Sequence, residues 1–140
     1  MTSPATQPKS RRVVATGRGR LRSERGSASI ELVILMPVLF VVLFLGVQAA
    51  MYYYAGTIAL AAAQDGARAA AGTAADPGTG TRVATAVLAT SDGSLENWAA
   101  ATTATADTVT VTVTGTSLSV IPGWQPTVTK QATAPVERLS

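Results

Sequence analysis

The chain has 140 residues, a formal net charge of +3, no cysteine and no histidine, and only 14% charged side chains where a soluble domain usually carries about 25%. Disulfide cross-links and thiol catalysis are therefore excluded, and the commonest general base and metal ligand is absent. The net charge hides two opposed parts: residues 1–26 hold seven basic side chains against one acid, a charge of +6, while residues 27–140 hold four against seven, a charge of −3.

Residues 1–26 contain Pro4, Pro8 and scattered Ser and Thr with no apolar periodicity, which predicts a disordered basic leader. A nucleic-acid-binding arm has the same composition. Arginines this close to an apolar run are more simply topogenic, so no nucleic-acid partner is expected. Ser10-Arg11-Arg12 resembles a twin-arginine export signal, but Arg18, Arg20, Arg22 and Arg25 separate it from any apolar segment.

From residue 32 to residue 47 no side chain is charged or strongly polar, and Ile30, Ala49, Ala50 and Met51 extend the run to about the length a bilayer core requires. The core helix of a soluble protein keeps a polar face; this run has none. It is read as a transmembrane helix whose partner is the lipid bilayer. Pro37 removes one helical hydrogen bond and predicts a kink near residues 33–37, and Tyr52, Tyr53 and Tyr54 are placed at the membrane interface. The excess of positive charge before the run predicts a single-pass cell-membrane protein with a cytoplasmic N-terminus and an extracytoplasmic C-terminus.

Glu31 is a carboxylate at the edge of this run, a place where ionisable groups mark a pairing or a function. One reading leaves it solvated at the cytoplasmic interface. In the other, cleavage between Gly26 and Ser27 creates an α-amino group at Ser27, one turn before Glu31 on the same helix face.

Arg25-Gly26-Ser27-Ala28-Ser29-Ile30-Glu31 with the apolar run behind it resembles the processing site of type IV prepilins. The longer stretch RGSASIELVILMPVLFVVLFLGVQAAMYYYAG resembles the TadE-like family of tight-adherence (Flp-type) type IV pilus assembly proteins, and Gln64-Asp65-Gly66-Ala67-Arg68-Ala69-Ala70 is similar to the Gly-Ala-Arg stretch where that family's helix ends. The resemblance implies a minor pilin or pseudopilin cut after Gly26 by a prepilin peptidase, with Glu31 as fifth mature residue pairing with the Ser27 amine. It also implies other pilins, pseudopilins and pilus assembly proteins as partners, and a place in a surface pilus after processing. Major pilins of this class follow the glutamate with tyrosine; Leu32 stands there, which fits a minor subunit. The alternative is a membrane-anchored or signal-peptide-bearing extracytoplasmic binding domain unrelated to a filament, since Val47-Gln48-Ala49 offers an ordinary signal peptidase a cut before Ala50.

The helix is expected to span residues 27–72 as transmembrane segment and stem. Val47, Met51, Tyr54, Ile58 and Ala61 or Ala62 draw an apolar stripe for the head or neighbouring helices to cover. Asp65 and Arg68 are spaced to pair across one turn, and Gly72 is a natural end. Residues 73–80, with Asp76-Pro77-Gly78, read as a linker.

Residues 81–140 form the head. A helix is expected over residues 82–90 and a further short one over 94–101, carrying Trp98. Alternating Val and Thr over residues 107–114 predict a strand with one buried face, Gly115-Thr116-Ser117 a turn, and residues 118–121 the returning strand. A third strand over residues 127–136 is confined to an edge by Pro126 and Pro135. The fold class is α+β: a long N-terminal transmembrane helix continuing as a stem, then a small domain of short helix plus a two- or three-stranded antiparallel sheet. So small a head must lean on the stem. Its acids are scattered, Gly78-Thr79-Gly80 lacks the strand and long helix of a phosphate loop, and Ser94 and Glu96 read as caps. No enzymatic role, cofactor or metal is expected.

Overall fold

The computed structural model describes residues 2–4, 23–72 and 75–136, and of 23–29 the backbone alone. Most of the expected leader, residues 73 and 74 of the expected linker, and residues 137–140 lie outside the described residues. The order of elements is α1 (Ser23–Gly72), α2 (Pro77–Ala89), β1 (Leu95–Ala104), β2 (Thr108–Ser117) and β3 (Thr127–Pro135). This is the expected α+β arrangement, with the strands antiparallel in the order β1-β2-β3.

Two compact units divide the chain, Met1–Leu39 and Phe40–Ser140, and α1 contributes to both. In the first, α1 begins at Ser23 and continues without interruption past Pro37. The apolar side chains from Ile30 to Leu39 are all exposed.

In the second unit, α2 starts inside the segment whose composition reads as a linker. Asp76 is its N-cap, accepting from the N–H groups of Gly78 (3.1 Å) and Thr79 (3.0 Å) and from the Thr79 hydroxyl (2.6 Å), and Pro77 takes the first helical position where its missing N–H costs nothing. The helix buries Gly80, Ala84 and Leu88, one row at four-residue spacing.

The strand expected over residues 107–114 is observed from Thr108 onward as part of β2: Val109, Val111 and Val113 are buried, and the threonines between them lie on the opposite, less buried face. Three other expectations are corrected. Residues 94–101 do not form a helix; from Leu95 they are strand β1, because pairing with β2 overrides the helical preference of Leu, Glu and Ala. A bulge between Glu96 and Ala99 absorbs one extra residue, with Asn97 at φ 47°, a left-handed conformation that Asn tolerates better than most residues.

The turn expected at Gly115-Thr116-Ser117 is absent: β2 runs on to Ser117, and Gly115 is glycine because the Leu95 side chain lies over it. Residues 118–121 are a loop instead of a strand, and β2 pairs with β1 before it and β3 after it. β3 is the expected proline-ended edge strand.

The core lies between the sheet and the two helices. Ala55, Ala59, Ala62, Ala63 and Ala67 of α1 meet Ala84, Leu88, Leu95, Val111, Val113 and Val128. Among the described residues eight of the fourteen buried apolar residues are alanines, which is what lets helix and sheet backbones come close enough to exclude water without large side chains. The buried row on α1 departs from the expected stripe only in part: Ala62 is buried and Ile58 packs against the core as expected, whereas Val47, Tyr54 and Ala61 are exposed and small residues take the rest of the inward face.

Candidate functional site

Gly26, Ser27 and Glu31 all fall within α1, and residues 27 and 31 are one helical turn apart. The side chains of Gly26 and Ser27 lie outside the described residues; that of Glu31 is exposed and makes no ion pair among the described residues. From Ile30 to Val47 the helix presents apolar side chains to the outside on every face, and it is the one helix among the described residues long and apolar enough to cross a membrane.

The first polar side chain after this run is Gln48, and it is only 2% exposed. Its amide is used at both ends. Nε2 donates to the Leu118 carbonyl (3.2 Å), while Oε1 accepts from the Val120 N–H (2.9 Å) and the Ser119 hydroxyl (3.0 Å). One glutamine of the helix thus binds two backbone groups and one hydroxyl of the loop; an apolar side chain there would leave the Val120 N–H without its partner, while the Leu118 carbonyl would keep the Ser117 hydroxyl (3.0 Å). Sequence reading passed over Gln48, treating it as part of a cleavage signal. Its signal was available: a lone amide closing an apolar run requires a partner.

The loop is fastened at its base too. The Ser117 N–H donates to the Pro126 carbonyl (3.0 Å), and the Trp124 N–H donates to the Ile121 carbonyl (3.2 Å) across Pro122-Gly123, with Gly123 at φ 79° as a type II turn needs. Trp124 lines an open apolar crevice of about 550 Å³ with Leu45, Gln48, Ala49, Tyr52, Pro126 and Thr127.

One turn further along α1, Tyr52, Tyr53 and Tyr54 are exposed, Tyr53 at 75%. The Tyr54 hydroxyl donates to Asp92 Oδ2 (3.3 Å), tying α1 to the turn after α2. The Lys130 side chain from β3 crosses Gly56, where an added Cβ would stand 3.2 Å from its Cε. Asp65 and Arg68 form the expected pair at 3.7 Å, exposed and therefore weak.

Of the two carboxylates with shifted acidity, Asp76 caps α2 and Asp92 accepts hydrogen bonds in the turn between α2 and β1. Hydrogen bonds from the Thr79 hydroxyl and then the Gly78 N–H hold Asp76 below the usual carboxylate range. For Asp92 the Ser94 hydroxyl beside it acts most strongly in the same direction, desolvation opposes it, and the Ser94 N–H and the Tyr54 hydroxyl add to the lowering. Among the described residues no three His, Cys, Asp or Glu side chains gather where a metal ion could be held.

No curated protein and no solved structure matches the chain. Residues 26–68 match the family model described as TadE-like protein, so over the segment from Gly26 to Arg68, which lies within the helix long and apolar enough to cross a membrane, the chain is similar to TadE-like proteins.

Proposed function

We propose that the chain is a minor pilin or pseudopilin, a structural component that serves assembly of a tight-adherence type IV pilus. The observation that supports this reading is the extent of the family match: it opens on Gly26, after which the proposed prepilin peptidase cut would fall, and closes on Arg68 of the Gly-Ala-Arg stretch. In this reading residues 1–26 stay cytoplasmic and are removed, and the head stands outside the membrane. The new Ser27 amine pairs with Glu31 of its own or a neighbouring chain. The exposed apolar side chains of α1 face lipid first and the helices of other pilus subunits afterwards. The role is structural rather than enzymatic.

The Gln48 clasp favours this over an ordinary secreted domain. A cut before Ala50 would remove the residue that satisfies Leu118, Ser119 and Val120. The deciding experiment is the intact mass and N-terminal sequence of the protein extracted from membranes of its native host. A chain starting at Ser27 supports the proposal, a start at Ala50 replaces it with a secreted domain, and an intact leader replaces it with a plain membrane anchor.

A further inference from the structure

The loop over residues 118–126 carries Leu118 and Val120, each 37% exposed, and Trp124 at 48%, and it has no charged residue. A surface loop in water seldom combines three exposed large apolar side chains with a complete lack of charge. Nor are these side chains exposed because the loop is loose. The Ser117 to Pro126 hydrogen bond closes its base, the turn at Pro122-Gly123 fixes its tip, and three bonds to Gln48 pin it to α1.

Its attachment point fixes its depth. Gln48 follows directly on the exposed apolar run, and Trp124 shares its crevice with Leu45, Ala49 and Tyr52. Residues 45–52 of a helix rise about 10 Å, enough to cross the roughly 5–8 Å headgroup layer that lies between the hydrocarbon core and bulk water on one side of a bilayer. A tryptophan, a tyrosine row and aliphatic side chains at that level match the interface, where rings with an apolar body and one polar atom are favoured.

We propose that the loop over residues 118–126 is a second membrane contact, a foot that sets Leu118, Val120 and Trp124 into the headgroup layer of the leaflet from which α1 emerges. It rests on the membrane-helix reading of α1 and is independent of leader cleavage. The head then sits on the bilayer, held at two points, and leaving the membrane requires withdrawal of this loop as well as of the helix.

The test uses the full chain in phosphatidylcholine–phosphatidylglycerol vesicles, with Trp98→Phe so that Trp124 is the sole tryptophan. The chain should float with the vesicles. Trp124 emission should be quenched more by lipids brominated near the glycerol end of the acyl chain than by those brominated near the methyl end, and little by aqueous iodide. Trp98 packs against the head core, so the reciprocal Trp124→Phe chain should show no lipid quenching; the difference between unsubstituted protein and this variant isolates Trp124 if Trp98→Phe does not fold. A chain that floats while Trp124 is quenched by iodide as fully as in denaturant overturns the foot and leaves the span standing. Protection from iodide without lipid quenching, growing with protein-to-lipid ratio, overturns it in favour of a second copy of the chain. Failure to float overturns both the span and the foot.

Discussion

A methyl group added to Gly66 of α1 would stand 2.7 Å from the Gly80 carbonyl oxygen of α2 and 3.1 Å from the Ala84 methyl. The two helices touch there almost backbone to backbone, and α2 would have to move to admit one carbon. Gly66→Ala should therefore destabilise the head by about 1–3 kcal/mol, the usual range for overpacking. Gly46→Ala is the control: nothing lies within 4 Å of its added carbon, so the head should be unaffected. Thermal unfolding in detergent, followed by near-ultraviolet circular dichroism, separates the two.

Gln48→Leu tests the clasp. The substitution suits an apolar helix but leaves the Val120 N–H without its partner and the Leu118 carbonyl with the Ser117 hydroxyl alone. A loss of about 1–3 kcal/mol is expected. Hydrogen exchange at the Val120 amide should rise, and proteolysis should appear within residues 118–126, while the exchange of β2 stays slow.

These two sites show where sequence reading reached and where it stopped. The apolar run, the Val-Thr alternation of β2 and the edge strand ending in Pro135 were legible because each repeats one physical preference over many residues. The inward face of α1 was legible only at Ile58 and Ala62. Its other residues are alanines and glycines, whose value lies in what they let approach, and that depends on α2 and the sheet. For β1, local preference favoured helix, and only the pairing register with β2 decides otherwise. Asp76-Pro77 did carry a helix-start signal, and the glycines around it masked it. For Glu31 the sequence supplied position and resemblance, and no contact among the described residues adds a partner.

Gly115 and Leu95 should behave as a coupled pair. A Cβ on Gly115 would lie 2.7 Å from Leu95 Cγ, so Gly115→Ala should be destabilising, and Leu95→Ala should be destabilising through the cavity it leaves. The double variant should recover part of the loss, because the smaller side chain at 95 makes room for the methyl at 115. A coupling of about 0.5–3 kcal/mol in a double-mutant cycle is the expected result. Strict additivity would show that the two residues do not meet.

Acid should weaken the head through Asp76 and Asp92. Both are held below the ordinary value of 3.8 in the folded chain, so on acidification the unfolded chain takes up protons first. Their contribution is complete above that value and is lost as the pH falls through their depressed folded values. Asp76→Asn keeps the N-cap, since Asn caps about as well as Asp, but cannot titrate there. Its melting temperature should fall less steeply than that of the unsubstituted chain below pH 3.8, with little difference near neutrality.

Glu31→Gln bears on the proposed pairing in the filament. The side chain is exposed on α1, and glutamine preserves its length and removes its charge, so the head should unfold at the same temperature as before. If the Ser27 amine pairs with Glu31, pilus assembly or function in the native host should drop sharply while N-terminal sequencing still finds the chain starting at Ser27. Assembly at the unsubstituted level with a correctly processed Glu31→Gln chain would rule out the amine–carboxylate pair. A chain that retains its leader would instead place the role of Glu31 at the peptidase step, and comparison of processed and unprocessed protein in the same membranes distinguishes these outcomes.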